Sequence, residues 1–310
     1  MQVSICTLFE GDYHYGVGVL ANSLYQRGYR GTIWVGYRGN LPPWASTAKQ
    51  NEGYQELIAA DGLSLRFIYI TADTYFSFYK PEFMQTLWKD YCSEAEAIFY
   101  FDPDIVNRSL WDFYERWVKR GVALCEDAWP YFLTSNHPIR LAWRDYIEDK
   151  GYPCLRLLER YYNAGFVGIH KEHASILSLW ATLITLFRDD DAYMSRSSDH
   201  RYPYINLHDQ DALNIALMVS TYPMSTVGPE GMDFTTRGFL MSHAAGANIV
   251  KPWRKNLIAK ALGGVPPSHT DKLFWQYATS PIPVYSHHYV ARKQLTLRIA
   301  SAIGRFIRRS

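Results

Sequence analysis

The stretch Ala97-Ile98-Phe99-Tyr100-Phe101-Asp102-Pro103-Asp104-Ile105-Val106 decides the fold that this sequence predicts. A short apolar and aromatic run bounded by a proline is typical of a buried strand. The two aspartates follow where the strand emerges, and open α/β sheets bind their ligands at that edge. Two carboxylates separated by one residue repel each other unless a cation lies beside them, and hard oxygen ligands suit Mg²⁺ or Mn²⁺. The same two residues could instead cap a turn or the helix predicted to begin near Ser109.

Strands and helices alternate on both sides of this stretch. Before it, the apolar spacing predicts strands over 3–9, 32–37 and 63–70 and helices over 17–27, 46–60 and 81–97. After it, the spacing predicts strands over 122–125 and 161–169 and helices over 109–119, 136–150, 173–188 and from 208 onward. This order favours an α/β fold with a mostly parallel central sheet flanked by helices. Neither a dinucleotide-binding glycine fingerprint nor a Walker loop is present in the sequence.

Composition narrows the class of protein. The chain has 310 residues, of which 48% are hydrophobic and 20% are charged, as is usual for a globular protein. The formal net charge is +2, but the segment 291–310 carries six basic residues and no acidic one (Arg292, Lys293, Arg298, Arg305, Arg308 and Arg309). The rest of the chain therefore holds 26 basic and 30 acidic residues, which argues against a general nucleic-acid-binding protein.

Cysteine usage and the N-terminus indicate the compartment. The four cysteines are far apart and form no CxxC pair, so we expect neither a zinc site nor a disulfide framework. The first residues lack a charged region followed by a long apolar one, and no run reaches the length of a transmembrane helix. We therefore expect a cytoplasmic protein.

Four motifs in a fixed order resemble the family 8 glycosyltransferases. They are Asp102-Pro103-Asp104, Asn163-Ala164-Gly165, Asp209-Gln210-Asp211 and His243 with Gly246 and Lys251-Pro252-Trp253. That family consists of retaining enzymes of the GT-A fold that use nucleotide-sugar donors, among them glycogenin and bacterial lipopolysaccharide galactosyl- and glucosyltransferases. The resemblance covers roughly residues 1–255. It departs from the family at its end, where Gly246 and Lys251 are five positions apart and the family spacing is shorter.

The resemblance implies a metal and a donor site. Asp102, Asp104 and His243 would bind Mn²⁺ or Mg²⁺, and a mixed oxygen and nitrogen site is compatible with Mn²⁺. An isolated histidine on an apolar strand can also be purely structural. The UDP-sugar donor would be held by the metal ligands Asp102 and Asp104 together with Thr7, Phe9, Asp12, Tyr13, Lys80, Asn163, Gly246 and Lys251. For Asp12 and Tyr13 the alternative is a turn residue and a packed ring, and for Lys80 it is a solvated surface lysine.

Two residues are implied as catalytic. By the resemblance Asp209 binds donor hydroxyls, and Gln210 lies beneath the anomeric carbon. Glycosyl transfer passes through a cationic sugar, which a carboxylate and an amide oxygen stabilise. Neither residue is a strong nucleophile, so we expect a front-face mechanism without a stable covalent intermediate. Asp211 either takes a direct part or is simply an acid at a helix N-terminus.

The C-terminal segment forms the second predicted domain. We expect a GT-A transferase domain over residues 1–255 and an extension over 256–310 that ends in a basic amphipathic helix. Its apolar residues recur at helical spacing (Leu295, Ile299, Ala302, Ile303 and Phe306) among the basic ones. Such a helix is typical of a membrane-surface element, although it could also pack on the protein body. An anionic membrane at 291–310 would suit a lipid-linked acceptor and a peripheral position on the inner face of the membrane.

The sequence thus predicts a metal-dependent retaining transferase that moves glucose or galactose from a UDP-sugar to a glycan, a lipid-linked or another acceptor. Two alternatives remain. A phosphatase of the haloacid dehalogenase class also places an aspartate pair at a strand exit and would use Asp102 as its nucleophile. A protein that binds sugar nucleotides without catalysis would share the same motifs.

Overall fold

A computed structural model describes residues 1–128, 133–189, 208–235, 238–245 and 250–307. Its internal contacts divide the chain into two compact units, each built from separate segments. The first unit comprises Met1–Cys6, Thr71–Phe101 and Phe113–Pro229, and the second comprises Thr7–Ile70, Asp102–Asp112 and Glu230–Ser310. These contact-based units do not test the predicted boundary at residue 255, which separates a transferase domain from a C-terminal extension and stays a prediction.

The first unit contains a five-stranded array. Its strands are the start of β1 (Val3–Glu10), β6 (Ala97–Phe101), β8 (Val122–Glu126), β9 (Tyr162–His170) and β10 (Met224–Val227). They lie in the order β10-β8-β9-β6-β1. β6 is parallel to β1 and β10 is parallel to β8, whereas β9 is antiparallel to both β6 and β8. All strands here except β9 therefore point the same way, and the run 97–101 is a fully buried strand as predicted.

Helices cover this array. They are α2 (Phe76–Thr86, continued by a π-helical turn Leu87–Tyr91), α3 (Trp111–Val118), α4 (Pro138–Asp149), α5 (Ile176–Asp189) and α6 (His208–Met218). α2, α5 and α6 pack against one another. In addition, α2 contacts β6, and α6 contacts β9. The predicted α/β fold with a mostly parallel sheet flanked by helices is confirmed.

The second unit contains the remaining strands. β2 (Gly31–Arg38) and β5 (Leu63–Tyr69) are parallel, and β4 (Gln55–Ala60) and β3 (Lys49–Gln50) extend the array by antiparallel pairing in the order β2-β5-β4-β3. A separate two-stranded sheet joins β7 (Ile105–Asn107) to β11 (Met241–His243). This small sheet carries His243, and Asp104 directly precedes its strand β7.

The described part of the second unit contains four α-helices. They are α1 (His14–Gln26), α7 (Leu257–Leu262), α8 (His269–Gln276) and α9 (His287–Ile307). α1 packs on β7, and α8 contacts both β7 and β11. α9 packs against α7 and α8, so the predicted C-terminal helical extension is confirmed.

The face of α9 that packs differs from the apolar face predicted by its spacing. Its buried residues are Val290, Leu297, Ala300 and Gly304. The predicted apolar stripe stays largely exposed, since Leu295 is 57% exposed, Ile299 46% and Phe306 91%.

The helix predicted over 46–60 is wrong. This segment forms β3 and β4, paired antiparallel through Lys49↔Glu56 and Gln50↔Gln55. Between them Gly53 adopts a φ of 79°, a left-handed conformation that glycine takes without strain. The turn residues at 51–53 therefore signal a hairpin, which the helical interpretation overlooked.

Candidate active site

The Asp-Pro-Asp motif follows β6 directly and begins the segment Asp102–Asp112 of the second unit. The backbone N–H of Ile105 donates to the carbonyl of Asp102 over 3.1 Å, which closes a tight turn at Pro103. Gly16 of α1 lies against this turn, and a β-carbon there would be 2.9 Å from the carbonyl carbon of Pro103. Only a glycine lets the helix approach the turn so closely.

Strand pairing brings a histidine to the motif. β11 runs antiparallel to β7 with His243 opposite Ile105, the residue after Asp104. Nε2 of His243 lies 3.1 Å from Oδ1 of Asp104 and 3.5 Å from Oδ2 of Asp102. One ligand atom from each of the three residues lies within 4.8 Å of the others. The predicted set Asp102, Asp104 and His243 is therefore assembled in one place.

The chemistry of this cluster fits a divalent cation. Two carboxylates and one imidazole offer two hard oxygens and a nitrogen, a donor set that Mn²⁺ accepts while retaining positions for phosphate oxygens. His243 and Asp104 are buried, and Asp102 is partly exposed. Nδ1 of His243 is buried and has no hydrogen-bond partner among the residues that the structure describes.

Lys251 also contacts this cluster. Its Nζ lies 2.6 Å from Oδ2 of Asp104 and donates to the carbonyl of Ala244 over 2.6 Å. Burial alone would raise the pKa of Asp104, but the charges of His243 and Lys251 and their hydrogen bonds hold it well below its usual range. Burial would lower the pKa of Lys251, and the attraction of Asp104 raises it instead. In this structure the lysine is thus the counter-ion of the second aspartate.

Asp12 and Tyr13 lie next to the segment that follows Lys251. Oδ2 of Asp12 accepts hydrogen bonds from the indole of Trp253 at 3.0 Å and from Nε of Arg254 at 2.5 Å. The hydrogen bond from Arg254 lowers the pKa of Asp12 most, against the effect of burial. The ring of Tyr13 meets Trp253 edge to face with centroids 5.4 Å apart. Both residues are partly exposed, as a nucleotide contact requires.

Thr7 and Phe9 occupy a different environment. Both side chains are buried, and Phe9 stacks on Tyr37 with centroids 5.9 Å apart. Oγ1 of Thr7 is buried without a hydrogen-bond partner in the part of the chain that the structure describes. The structure therefore places these two predicted donor residues in the core of the second unit. Gly246, also predicted for the donor, lies outside the described residues.

The first unit brings together the residues predicted for the sugar. Lys80, which the sequence left as either a site residue or a surface lysine, is only 5% exposed. Its Nζ lies 2.8 Å from Oδ2 of Asp209 and donates to the carbonyl of Ala164 over 3.1 Å. Asp209 stands in the first turn of α6, where the helix N-terminus favours an acid. The surface-lysine alternative for Lys80 is wrong, because the ammonium is buried against a carboxylate.

Gln210 and Asn163 share a partner that the sequence interpretation missed. Nε2 of Gln210 and Nδ2 of Asn163 both donate to Oδ2 of Asp127, over 2.8 and 2.7 Å. Oε1 of Gln210 accepts from the backbone N–H of Ala164 over 3.0 Å. Asp127 follows β8 as Asp102 follows β6, so a carboxylate directly after a predicted strand was the signal that could have identified it.

Asp211 lies in the first turn of α6 and ties that helix to Tyr161. The hydroxyl of Tyr161 donates to Oδ1 of Asp211 over 2.5 Å, and both groups are buried. Burial and the neighbouring carboxylate raise the pKa of Tyr161 well above its usual value, so the phenol stays protonated. The helix-start interpretation of Asp211 therefore fits its surroundings.

No helix in the described ranges combines the length and the apolar character needed to cross a membrane. No protein-family model and no curated protein matches the chain.

Solved structures do resemble the chain. The bifunctional glycosyltransferase WbbM, in its apo form, is 14% identical with a TM-score of 0.54 over 95% of this chain and 52% of its own. The glycosyltransferase GlyE of Streptococcus pneumoniae TIGR4 is 13% identical with a TM-score of 0.53 over 96% of this chain and 64% of its own. The galactosyltransferase LgtC, in complex with donor and acceptor sugar analogues, is 14% identical with a TM-score of 0.55 over 93% and 99%.

These likenesses concern the fold. The chain spans about half the length of WbbM and less than two thirds of GlyE, but almost all of LgtC. The GT-A type of fold expected from the sequence is confirmed. The activity of this chain is a separate question. Two clusters of side chains bear on it: the first is Asp102, Asp104 and His243, and the second is Lys80, Asp127, Asn163, Asp209 and Gln210.

Proposed function

We propose that this chain is a metal-dependent, retaining glycosyltransferase of family 8 that transfers a hexose, glucose or galactose, from a UDP-sugar to a glycan, a lipid-linked or another acceptor. The observation that carries the proposal is the cluster of Asp102, Asp104 and His243, with ligand atoms within 4.8 Å of one another, at the end of a buried strand. This cluster stands on the fold that the three glycosyltransferase structures share.

The three residues would hold Mn²⁺ or Mg²⁺. A bound divalent cation neutralises the charge that develops on a departing nucleoside diphosphate. Asp104, whose pKa is lowered by its neighbours, is ionised at neutral pH, the form that a cation requires. The partly exposed Asp12 carboxylate can accept hydrogen bonds from the ribose or base, and the Tyr13 ring can stack on the base.

The second cluster would hold the sugar. Asp209 is paired with Lys80 at 2.8 Å, and this pairing makes its carboxylate a weak nucleophile suited to binding hydroxyls. Gln210 is held by Asp127 and Ala164 with its amide in one orientation, which lets the oxygen stabilise positive charge near an anomeric carbon. Asn163 is oriented by the same carboxylate. This arrangement supports a front-face mechanism with retention of configuration and no stable covalent intermediate.

The helix α9 would bring the enzyme to its acceptor. Its exposed apolar residues and its basic residues lie along one amphipathic element, which suits an anionic membrane surface and a lipid-linked acceptor. We therefore propose a peripheral position on the inner face of the membrane.

The test is calorimetry with UDP, in the presence and absence of Mn²⁺, on the unmodified chain and on Asp104→Ala. We expect metal-dependent binding of UDP that the substitution abolishes, since one of three ligands is lost. Asp61→Ala removes an exposed carboxylate outside the cluster and should bind normally. Unchanged affinity in Asp104→Ala would refute the proposed metal site.

A hydrolysis screen then separates an enzyme from a binding protein. The unmodified chain is incubated with a panel of nucleotide sugars and either Mn²⁺ or Mg²⁺, and free sugar is measured. Release from one UDP-hexose supports the transferase and identifies the donor. UDP binding without any release would indicate a protein that has lost catalysis, and an acid-labile phosphate on Asp102 would indicate a phosphatase instead.

A further inference from the structure

Lys251 occupies an unusual position for a residue expected to bind a donor phosphate. Its Nζ lies 2.6 Å from Oδ2 of Asp104 and donates to the carbonyl of Ala244 over 2.6 Å, so two of its three N–H groups are in use. The side chain is 13% exposed. The other oxygen of Asp104 faces Nε2 of His243 at 3.1 Å.

Both oxygens of Asp104 therefore already have a positively charged or proton-donating neighbour. A divalent cation that binds Oδ2 would meet the ammonium of Lys251 at short range, where like charges repel strongly in a partly buried site. A cation on the other oxygen, Oδ1, would still share one small carboxylate with the ammonium. The repulsion therefore opposes cation binding for as long as Lys251 stays at Asp104.

We propose that Lys251 couples binding of the divalent cation to binding of the nucleoside diphosphate, by neutralising Asp104 when both are absent and moving to the diphosphate when both are bound. This inference rests on the proposed metal site. A cation arriving alone is opposed by a partly buried ammonium that gains no new partner on leaving. A cation arriving with a diphosphate provides anionic oxygens to which the same ammonium can donate.

The proposed coupling and a simple phosphate-binding role predict different effects of removing Lys251. If Lys251 only contacted phosphate, its removal would weaken UDP binding and leave the affinity for the cation alone unchanged. If it is the resident counter-ion of Asp104, its removal frees a carboxylate oxygen and strengthens binding of the cation alone. By linkage, the factor by which UDP improves cation binding equals the factor by which the cation improves UDP binding.

The experiment measures free Mn²⁺ by electron paramagnetic resonance during titration of the full chain, with and without UDP. The proteins are the unmodified chain, Lys251→Met and Arg254→Met. Arg254 is three positions away and bonds to Asp12, so its substitution removes the same charge from the same segment without breaking a contact to Asp104. Thermal unfolding checks that each variant is folded, and Lys251→Gln replaces Lys251→Met if the latter is not.

We expect Lys251→Met to bind Mn²⁺ alone at least about tenfold more tightly than the unmodified chain, and UDP to enhance its Mn²⁺ binding by a smaller factor. Arg254→Met should bind Mn²⁺ alone as the unmodified chain does. Equal Mn²⁺ affinity in Lys251→Met and the unmodified chain, with UDP and Mn²⁺ still binding together, overturns the coupling but not the metal site. An equal gain in both variants overturns it too, as a general effect of charge. Absence of Mn²⁺ binding in every protein, even with UDP, overturns the metal site itself.

Discussion

Nε2 of Gln210 donates a hydrogen bond to Oδ2 of Asp127 over 2.8 Å. The same carboxylate oxygen accepts from Nδ2 of Asn163 over 2.7 Å. One aspartate thus determines the orientation of both amide side chains that we assign to the sugar. Their oxygens are turned toward backbone N–H groups, at Ala164 for Gln210 and at Gly165 for Asn163.

Asp127→Ala should slow sugar transfer without weakening the binding of the nucleotide. Each hydrogen bond to a charged group contributes about 1.5–3 kcal/mol, so loss of both lets the two amides turn. We expect the rate of donor hydrolysis to fall by at least about tenfold, which corresponds to roughly 1.4 kcal/mol. Metal-dependent UDP binding, which depends on residues of the other unit, should not change. Asp145→Ala, at an exposed position of α4, is the matched control. Undiminished hydrolysis in Asp127→Ala would contradict the positioning role.

Gly16→Ala should disrupt the Asp-Pro-Asp turn. The added β-carbon would clash with the backbone carbonyl of Pro103 and lie 3.3 Å from the ring of Trp253, and backbone atoms yield less readily than a flexible side chain. We expect a loss of about 1–3 kcal/mol in the free energy of unfolding, together with weaker Mn²⁺-dependent UDP binding. Chemical denaturation and calorimetry measure the two effects.

Gly263→Ala is the control for this prediction. A β-carbon at Gly263 meets nothing nearer than 3.4 Å, so this variant should keep both stability and UDP binding. Normal UDP binding in a folded Gly16→Ala protein would show that the turn does not depend on the glycine.

Asn22→Ala should destabilise the second unit. The buried side chain of Asn22 donates to the carbonyls of Tyr277 and Ile282 over 2.7 and 2.9 Å and accepts from the N–H of Ile282 over 2.7 Å. Its truncation leaves three backbone groups without these partners, at about 1 kcal/mol or more each. Urea denaturation should therefore show a loss of about 3 kcal/mol. Gln26→Ala, which removes one exposed bond to Ser280, should cost less than about 1 kcal/mol.

Ile299→Ser with Phe306→Ser should weaken binding to anionic vesicles. Both side chains are exposed on α9, whereas deletion of the helix would also remove the buried Leu297 and Ala300. Loss of two large apolar groups, each worth about 1.5–3 kcal/mol when fully buried, should reduce partitioning by at least about tenfold. Sedimentation with vesicles of anionic lipid measures this, and Ile58→Ser with Tyr75→Ser is a matched pair at exposed positions elsewhere. Equal sedimentation of all three proteins would remove the membrane proposal.

The fold was predictable where the pattern was local. Strands such as 3–10 and 97–101 are continuous apolar runs, and the helices that follow them have clear spacing. The strands within 46–60 were not predictable in this way, because their short hairpin has neither a long apolar run nor strict alternation. Spacing alone also left the packed side of α9 open, since two different stripes along that helix carry apolar residues and only its neighbours select one.

The sequence by itself determined that Asp102 and Asp104 stand together where a buried strand ends, because a short apolar run and the aspartates after it are a local pattern. It did not identify Asp127, although the same signal is present there. Only the tertiary structure decided which partners these carboxylates have. His243 reaches Asp104 through the register of β11 on β7, and Lys251 reaches it from 147 positions away in the chain. Such contacts depend on strand pairing and packing between distant segments, and no local pattern of residues encodes them.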